Sequence, residues 1–155
     1  LASISFLSLL MGSAAGPAQR RILSWIGVTT LGEVFFGRKV IIQAPQRLTL
    51  GRGVAIGDRT HIACHAEIAI GDGFIGAPGV IINSGQHDIR TLEGFGVPIK
   101  IGSRVWCGAG SIICAGVEIG DDVVIGAGAV VVRSIPSGCV AVGVPARVIK
   151  YIQGG

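Results

Sequence analysis

The sequence predicts an all-β fold in which short strands wind into a parallel solenoid. This prediction rests on a six-residue repeat, on the composition and on the length. An apolar residue recurs every six positions over much of the chain, for example at Ile119, Ile125 and Val131. The 155 residues include 26 glycines, 50% are hydrophobic and only 14% are charged, a balance that favours β-structure over a helical bundle. This length suits one domain, over residues 1–155.

The repeat consists of six-residue blocks that begin at Leu50, resume at Ile70 and restart at Ile101. The first residue of a block is apolar in nearly every case, the fifth is small or apolar, and glycine fills the second position at residues 51, 57, 71, 102, 108, 120 and 126. A period of six fits neither an α-helix nor a simple meander. It fits stacked coils with short flat sides, in which the first side chain points into the core and the small second residue lets the backbone turn.

The single domain is therefore expected to have three parts: a lead-in over 1–47, a β-helix over 48–142 and a C-terminal segment over 143–155. Residues 1–19 carry no charge and precede two arginines, as in a signal peptide or a membrane anchor. Serine and glycine dilute this run, and no basic stretch precedes it. We therefore expect a helix that packs on the core, with membrane contact as the alternative.

Charge and cysteine content narrow the class of protein. The formal net charge is +4, and most of the 13 basic residues are scattered, which argues against a nucleic-acid partner and leaves a small anionic ligand compatible. Cys64, Cys107, Cys114 and Cys139 form no C-x-x-C pair, so packed thiols of a cytoplasmic protein are expected rather than a disulfide framework. Cys107 takes a first position of the repeat and is expected in the core.

The largest interruption of the repeat is the polar, glycine-rich segment 84–98, with the sequence SGQHDIRTLEGFGVP. An extruded loop is expected here. Loops that project from rigid scaffolds are common sites of binding and catalysis. His87 lies near the start of this loop and is the first candidate for a functional residue.

The residues around this loop resemble a known family. INSG precedes His87, and PIKIGSRVWCGAGSIICAGVEIG follows the loop. This arrangement resembles the hexapeptide-repeat O-acetyltransferases of the maltose, galactoside and colanic-acid types, in which a histidine opens the loop and a tryptophan-containing coil closes it. The resemblance covers about 48–152. It implies a left-handed β-helix, a short C-terminal helix, and a homotrimer with each active site between two subunits.

The resemblance further implies an acetyl-CoA-dependent O-acetyltransferase that acts on a hydroxyl of a sugar or polysaccharide precursor, without a covalent enzyme intermediate. His87 would then remove the hydroxyl proton, a task that suits an imidazole with an ordinary pKa of about 6.5. Asp88 or Glu93 could orient it, and this choice stays open. Trp106 would lie beside the acceptor or the thioester. A weaker similarity of residues 16–33 to polysaccharide-cluster acetyltransferases favours a sugar as acceptor.

The same resemblance assigns residues to coenzyme A. Ala109 and Ala127 would lie against the pantetheine arm, and Val132 and Arg133 would lie at the nucleotide end. Arg147 and Lys150, in the implied C-terminal helix, would face phosphates, to which cations bind by charge-assisted hydrogen bonds.

One departure from the family concerns the acceptor. Relatives often carry an asparagine in the coil before the loop, where this chain has Cys64 beside His65. The acceptor contacts are therefore expected to differ. Asn83 is a nearby candidate, but its position in the sequence does not show that it replaces the missing residue.

Two other classes of function remain open. Proteins similar to the γ-carbonic anhydrases share this fold and bind zinc through three histidines, a suitable ligand set, and this chain has His61, His65 and His87. Here, however, the close pair comes first in the sequence, whereas in those proteins it comes last, so no metal is expected. A non-catalytic β-helix that serves in assembly is the other alternative, although a spacer has no use for the histidine and tryptophan at the loop.

Overall fold

The computed structural model describes residues 17–152, which form a parallel β-solenoid of about six turns preceded by one α-helix. Three walls of parallel strands run along the solenoid, each of the first five coils contributes one strand to each wall, and the second wall has two further strands at its C-terminal end, the last of them antiparallel. Helix α1 (Pro17–Trp25) packs on the N-terminal coil, where Leu23 is buried in the core. Residues 1–16 lie outside the described part of the chain, so the expectation for 1–19 concerns mainly residues on which the structure is silent.

The strand bounds follow the walls in order. The first wall comprises β1 (Thr29–Thr30), β4 (Leu48–Leu50), β7 (Ile68–Ile70), β12 (Ile99–Ile101) and β15 (Glu118–Ile119). The second wall comprises β2 (Val34–Phe36), β5 (Val54–Ile56), β8 (Ile75–Gly76), β13 (Trp106–Cys107), β16 (Val124–Ile125), β18 (Cys139–Val142) and β19 (Arg147–Tyr151). The third wall comprises β3 (Ile41–Gln43), β6 (His61–Ala63), β9 (Ile81–Asn83), β14 (Ile112–Ile113) and β17 (Val130–Val131). A short 3-10 helix (Pro45–Arg47) lies between β3 and β4.

The six-residue period places one inward side chain on each wall. Ile119, Ile125 and Val131 stand on β15, β16 and β17, and all three are buried. Parallel pairing then stacks equivalent residues of successive coils: on the third wall the buried column is Ile42, Ile62, Ile82, Ile113 and Val131. The prediction of stacked coils with an aliphatic core is confirmed.

Aspartates at the third position of several blocks fasten one coil to the next. The Asp58 carboxylate accepts the backbone N–H of Arg38 at 2.8 Å, and Asp72 accepts that of Arg52 at 2.8 Å. Asp121 accepts the N–H of Ser103 at 2.7 Å. The repeated aspartate therefore accepts backbone N–H groups at the corners of the solenoid, where the backbone turns away from the hydrogen bonds of the sheet.

The solenoid starts one coil earlier than residue 48. Strands β1, β2 and β3 already form a complete coil, in which Val34 pairs with Val54 and Ile42 with Ile62. The period of this coil is hidden in the sequence because Thr30 takes the position that an aliphatic residue holds in later coils. The side that follows Ile42 also has eight residues rather than six.

The prediction of a short C-terminal helix within residues 143–155 is wrong for the described part of that segment, which ends at residue 152. Residues 147–151 form strand β19, antiparallel to β18, with Arg147 opposite Val142 and Lys150 opposite Val140. Its β-branched and aromatic side chains favour a strand. The strand also covers the edge of β18, which would otherwise expose unpaired backbone groups. Between residues 17 and 152, no helix has the length and apolar character needed to cross a membrane.

Candidate active site

The interruption at 84–98 is a β-hairpin that projects from the corner between the third and first walls. Strands β10 (Gly85–His87) and β11 (Gly94–Gly96) pair antiparallel, with Gly85 opposite Gly96 and His87 opposite Gly94. The backbone N–H of Val97 donates to the Ser84 carbonyl at 2.8 Å, which closes the base. His87 thus stands at the end of an ordered strand.

Asp88 closes the tip of the hairpin. Its carboxylate accepts the backbone N–H groups of Thr91 at 2.9 Å and Arg90 at 2.8 Å. These two hydrogen bonds hold the pKa of Asp88 below its usual range, and the one from Thr91 has the larger effect. The carboxylate is therefore engaged with its own loop, and Glu93 is exposed beside it. The expectation that one of these acids orients His87 stays a prediction.

A cleft of about 320 Å³ opens at the base of the hairpin. Two residues singled out in the sequence, His87 and Asn83, line it together with His65, which the sequence suggested only as a metal ligand. The remaining lining residues are Gly85, Gln86, Gly94, Phe95 and Gly96. The hairpin and the corner beneath it therefore bring together two imidazoles, of His65 and His87, and two carboxamides, of Asn83 and Gln86.

Glycines make room for both imidazoles. A Cβ atom at Gly94 would lie 3.2 Å from His87 Nε2, and one at Gly85 would lie 2.4 Å from His65 Cδ2. Neither glycine has a positive φ, so the requirement here is for space and not for an unusual backbone conformation. Larger residues would displace the rings.

Ser84 and Arg47 hold the corner that carries His65. The buried Ser84 hydroxyl accepts the Ala66 N–H at 2.8 Å and lies within hydrogen-bond distance of the Ala66 and Ala63 carbonyls. The Arg47 guanidinium donates to the His65 carbonyl. Sequence reasoning missed the role of Ser84; the available signal was a small polar residue where the coil ends.

Asn83 lines the cleft, whereas Cys64 does not. The Asn83 side-chain oxygen accepts the Gly85 N–H at 2.8 Å, so its amide nitrogen remains as a donor in the cleft. Cys64 is only 1% exposed and belongs to the core. Burial raises the pKa of its thiol to about 12, with Arg47 acting weakly in the opposite direction. The expectation that Cys64 acts in the acceptor site is therefore wrong, because the corner turns its side chain inward, and the side chain that lines the cleft at this corner is that of the next residue, His65.

Trp106 lies on the outer face of the second wall, away from the cleft lining. It is 52% exposed and pairs with Ile75, which is 53% exposed, on β8. Within one chain, Trp106 and His87 therefore stand on different sides of the solenoid. Its contact with acceptor or thioester stays a prediction.

The residues assigned to coenzyme A lie on the later coils and on β19. Exposed Ala109 and Ala127 stack at the corner between the second and third walls, where the Gly128 N–H donates to the Ala109 carbonyl at 2.8 Å. Val132 and Arg133 are exposed at the corner from which the hairpin also projects, two coils further along. Arg147 and Lys150 are exposed on β19, and the Arg147 guanidinium donates to the Ala146 carbonyl at 2.9 Å. Their contact with coenzyme stays a prediction.

The three histidines do not assemble into one site. His61 lies on β6, in register with Ile41 and Ile81 on the outer face of the third wall, while His65 and His87 line the cleft. In the described part of the chain, no group of three or more His, Cys, Asp or Glu side chains could hold a metal ion. All four cysteines have free thiols.

Comparison with known proteins identifies the family. Residues 98–133 match the bacterial transferase hexapeptide (six repeats) model. The chain is 35% identical to the putative lipopolysaccharide biosynthesis O-acetyl transferase WbbJ of Escherichia coli K12, over 77% of this chain and 72% of that protein. It is also 35% identical to the galactoside O-acetyltransferase of Escherichia coli K12, over 76% of this chain, and spans 63% of that protein's length.

Solved structures agree with this relationship. A maltose O-acetyltransferase from Clostridium difficile 630 superposes with a TM-score of 0.72 at 34% identity, over 88% of this chain and 75% of that one. A galactoside acetyltransferase in complex with coenzyme A gives a TM-score of 0.63 at 27% identity, over 90% of this chain and 74% of that one. Together with the repeat and the left-handed β-helix that it builds, these similarities show that the chain belongs to the hexapeptide-repeat acetyltransferase family.

Proposed function

We propose that this protein is an acetyl-CoA-dependent O-acetyltransferase that acetylates a hydroxyl of a sugar or polysaccharide precursor. The observation that carries the proposal is His87, which stands in a glycine-floored cleft on a hairpin that the rigid solenoid supports. Relatives named as galactoside and lipopolysaccharide O-acetyltransferases support the reaction and the class of acceptor. A similar structure with coenzyme A bound supports the donor.

The reaction needs one base. His87 takes the proton of the acceptor hydroxyl as its oxygen attacks the thioester carbonyl carbon. The tetrahedral intermediate then collapses, the carbon–sulfur bond breaks, and the coenzyme A thiolate receives the proton from the imidazolium. A general base of this kind contributes about 10² to 10⁴ in rate.

Direct transfer between bound substrates agrees with the state of the cysteines. Burial raises the pKa of the Cys107 thiol to about 12, as it does for Cys64. The thiolate is the reactive form of cysteine, so near neutral pH neither side chain is available as an acyl carrier. The burial of these two cysteines therefore supports a mechanism without a covalent enzyme intermediate.

Coenzyme A would bind along the later coils. The small side chains of Ala109 and Ala127 leave their corner open to the pantetheine arm. Val132 would contact the nucleotide end, where Arg133, Arg147 and Lys150 supply positive charge for its phosphates. Because these cations are exposed, added salt should weaken their contribution.

We further propose a homotrimer in which a neighbouring subunit completes each site. The second wall exposes Phe35, Ile75 and Trp106, each by 44% to 53%, as a row of large apolar side chains. Such rows mark contact surfaces. Packing of this wall against the corner that carries the hairpin of another subunit would bring Trp106 to the cleft. The four free thiols favour a cytoplasmic location, and contact of residues 1–19 with a membrane surface is the alternative.

A thiol-release assay tests the proposal. Purified protein is mixed with acetyl-CoA and a panel that includes maltose, methyl β-galactoside and amino acids, and wild type is compared with His87→Ala. We expect a sugar to be acetylated and the variant to lose at least about a hundredfold in kcat. Lys100→Ala, on the exposed first wall, serves as the control for surface substitution. Full turnover by His87→Ala would contradict the assignment of the base, and wild type inactive on every sugar would contradict the function.

A further inference from the structure

The cleft contains a second imidazole that the proposed mechanism does not use. His65 lies at the corner between β6 and β7 and lines the cleft with His87. It belongs to the second coil, before the hairpin. The residues assigned to coenzyme A all follow the hairpin, on the fourth and fifth coils and on β19. Within the chain, His65 is therefore on the side of His87 that faces away from the coenzyme residues.

The two imidazoles lie on the same face of the hairpin. Residues two apart on a strand project to the same face, so the Cβ direction of Gly85 is that of the His87 side chain. A Cβ at Gly85 would meet the His65 ring at 2.4 Å. Gly96, opposite Gly85, lies directly over the peptide bond between His65 and Ala66, where a Cβ would be 2.5 Å from the His65 carbonyl oxygen.

The position of His65 is fixed from below. Arg47 donates to its carbonyl, and the buried Ser84 hydroxyl binds the N–H of the next residue, Ala66. Neither Gly85 nor Gly96 has a positive φ. A residue with a side chain would fit their backbone but not their surroundings. The hairpin base is thus built around an imidazole that is held in place and remains accessible to the cleft.

We propose that His65 hydrogen-bonds a second hydroxyl of the sugar acceptor, one that is not acetylated, while His87 deprotonates the hydroxyl that attacks the thioester. This inference rests on the proposed function. A neutral imidazole offers one donor and one acceptor, and so does a hydroxyl, so the two groups are complementary. His65 exchanges no proton in the reaction. The proton of the attacked hydroxyl still passes through His87 to the departing thiolate as the new ester bond forms.

Deoxy sugars test the proposal. Maltose and methyl β-galactoside are assayed with acetyl-CoA, and for the sugar that is acetylated, monodeoxy analogues that each lack one of the hydroxyls that are not acetylated are compared with the parent. We expect wild type to prefer the parent over one analogue by about tenfold to a hundredfold in kcat/KM, because that analogue leaves the imidazole unpaired. In His65→Ala, the parent loses about this factor, the analogue does not, and the preference falls to within about twofold.

Matched variants separate hydrogen bonding from packing. His65→Gln keeps a donor and an acceptor and should restore part of the preference. Gly85→Ala keeps the imidazole but places a methyl group where its ring lies, and should weaken the preference as His65→Ala does. Glu67→Gln, at an exposed position of the same corner, is the control. The KM for acetyl-CoA should stay unchanged in His65→Ala.

Two results would overturn the proposal. His65→Ala could keep the wild-type preference for the parent sugar, or it could lose parent and analogue equally, which indicates a purely structural role. If wild type is active, His87→Ala is inactive and either of these results is found, then only the assignment of His65 is wrong. If wild type acetylates neither sugar nor any other in the panel, the proposed function is contradicted, and the role of His65 with it.

Discussion

Replacing Gly96 by alanine should impair catalysis while leaving the solenoid folded. The added Cβ would lie 2.5 Å from the His65 carbonyl oxygen and 2.7 Å from the Ala66 nitrogen, whereas ordinary contact begins at 3.4 Å. The neighbours are backbone atoms, which Arg47 and Ser84 hold in place. Strand β11 must therefore move by about 0.9 Å, and His87 is carried on the strand that pairs with it.

A misplacement of about 1 Å costs about a hundredfold in rate, so we expect kcat/KM in the thiol-release assay to fall by about this factor. The strain of overpacking is about 1–3 kcal/mol, which lowers the melting temperature by no more than about 10 °C. Gly94→Ala is the graded comparison, because its Cβ would be 3.2 Å from the mobile end of the His87 side chain and requires a much smaller shift. Wild-type kcat/KM in Gly96→Ala would refute the reasoning that close packing of the hairpin base positions His87.

Three further predictions concern the scaffold. Ile82→Ala, in the buried column of the third wall, should lower the free energy of unfolding by about 2–5 kcal/mol in urea denaturation, and a loss below about 1 kcal/mol would contradict tight packing there. The hydrogen bonds from Arg38, the backbone N–H first, hold the pKa of Asp58 below its usual 3.8, so its stabilising contribution is present above that value and is lost as the pH falls through the lower folded pKa. Acid titrations of wild type and Asp58→Asn, followed by circular dichroism, should therefore converge at low pH, and a constant difference would contradict the linkage. The thiols of Cys64 and Cys107, with pKa values of about 12, should resist iodoacetamide at pH 8 in folded protein and react in urea, as read by mass spectrometry; rapid labelling of the folded chain would show that they are exposed.

The sequence predicts the scaffold well because the information lies within single blocks. The spacing of Ile119, Ile125 and Val131 is enough to predict one inward position on each wall. The loss of that spacing after Asn83 locates the hairpin. The first coil could not be predicted from the repeat because Thr30 interrupts the apolar column. Strand β19 could not be predicted because it forms by pairing with β18 at the end of the solenoid, and no local sequence pattern indicates that pairing.

The site is harder to predict because its parts meet across coils. His87 can be found from its place in the loop. His65 and Ser84 are 19 residues apart in sequence, yet the corner brings the backbone beside His65 onto the Ser84 hydroxyl. Cys64 and His65 are neighbours whose side chains go to opposite sides of the wall, and only the turn of the backbone decides which one reaches the cleft. Asp88 shows the same limit, since its spacing from His87 gives no sign that its carboxylate binds the loop.

The hairpin joins the solenoid without disturbing the register of the walls. Ile68 pairs directly with Ile99, although they are 31 positions apart in the sequence, and the Val97 N–H donates to the Ser84 carbonyl where the hairpin leaves and rejoins the coil. The hairpin therefore leaves the packing of the scaffold unchanged. The length of the hairpin affects the free energy of folding only through the weak logarithmic dependence of loop closure on loop length. Exchange of the segment between these two residues for that of another family member should give a stable chimera with altered acceptor choice, so that one framework can host many sugars.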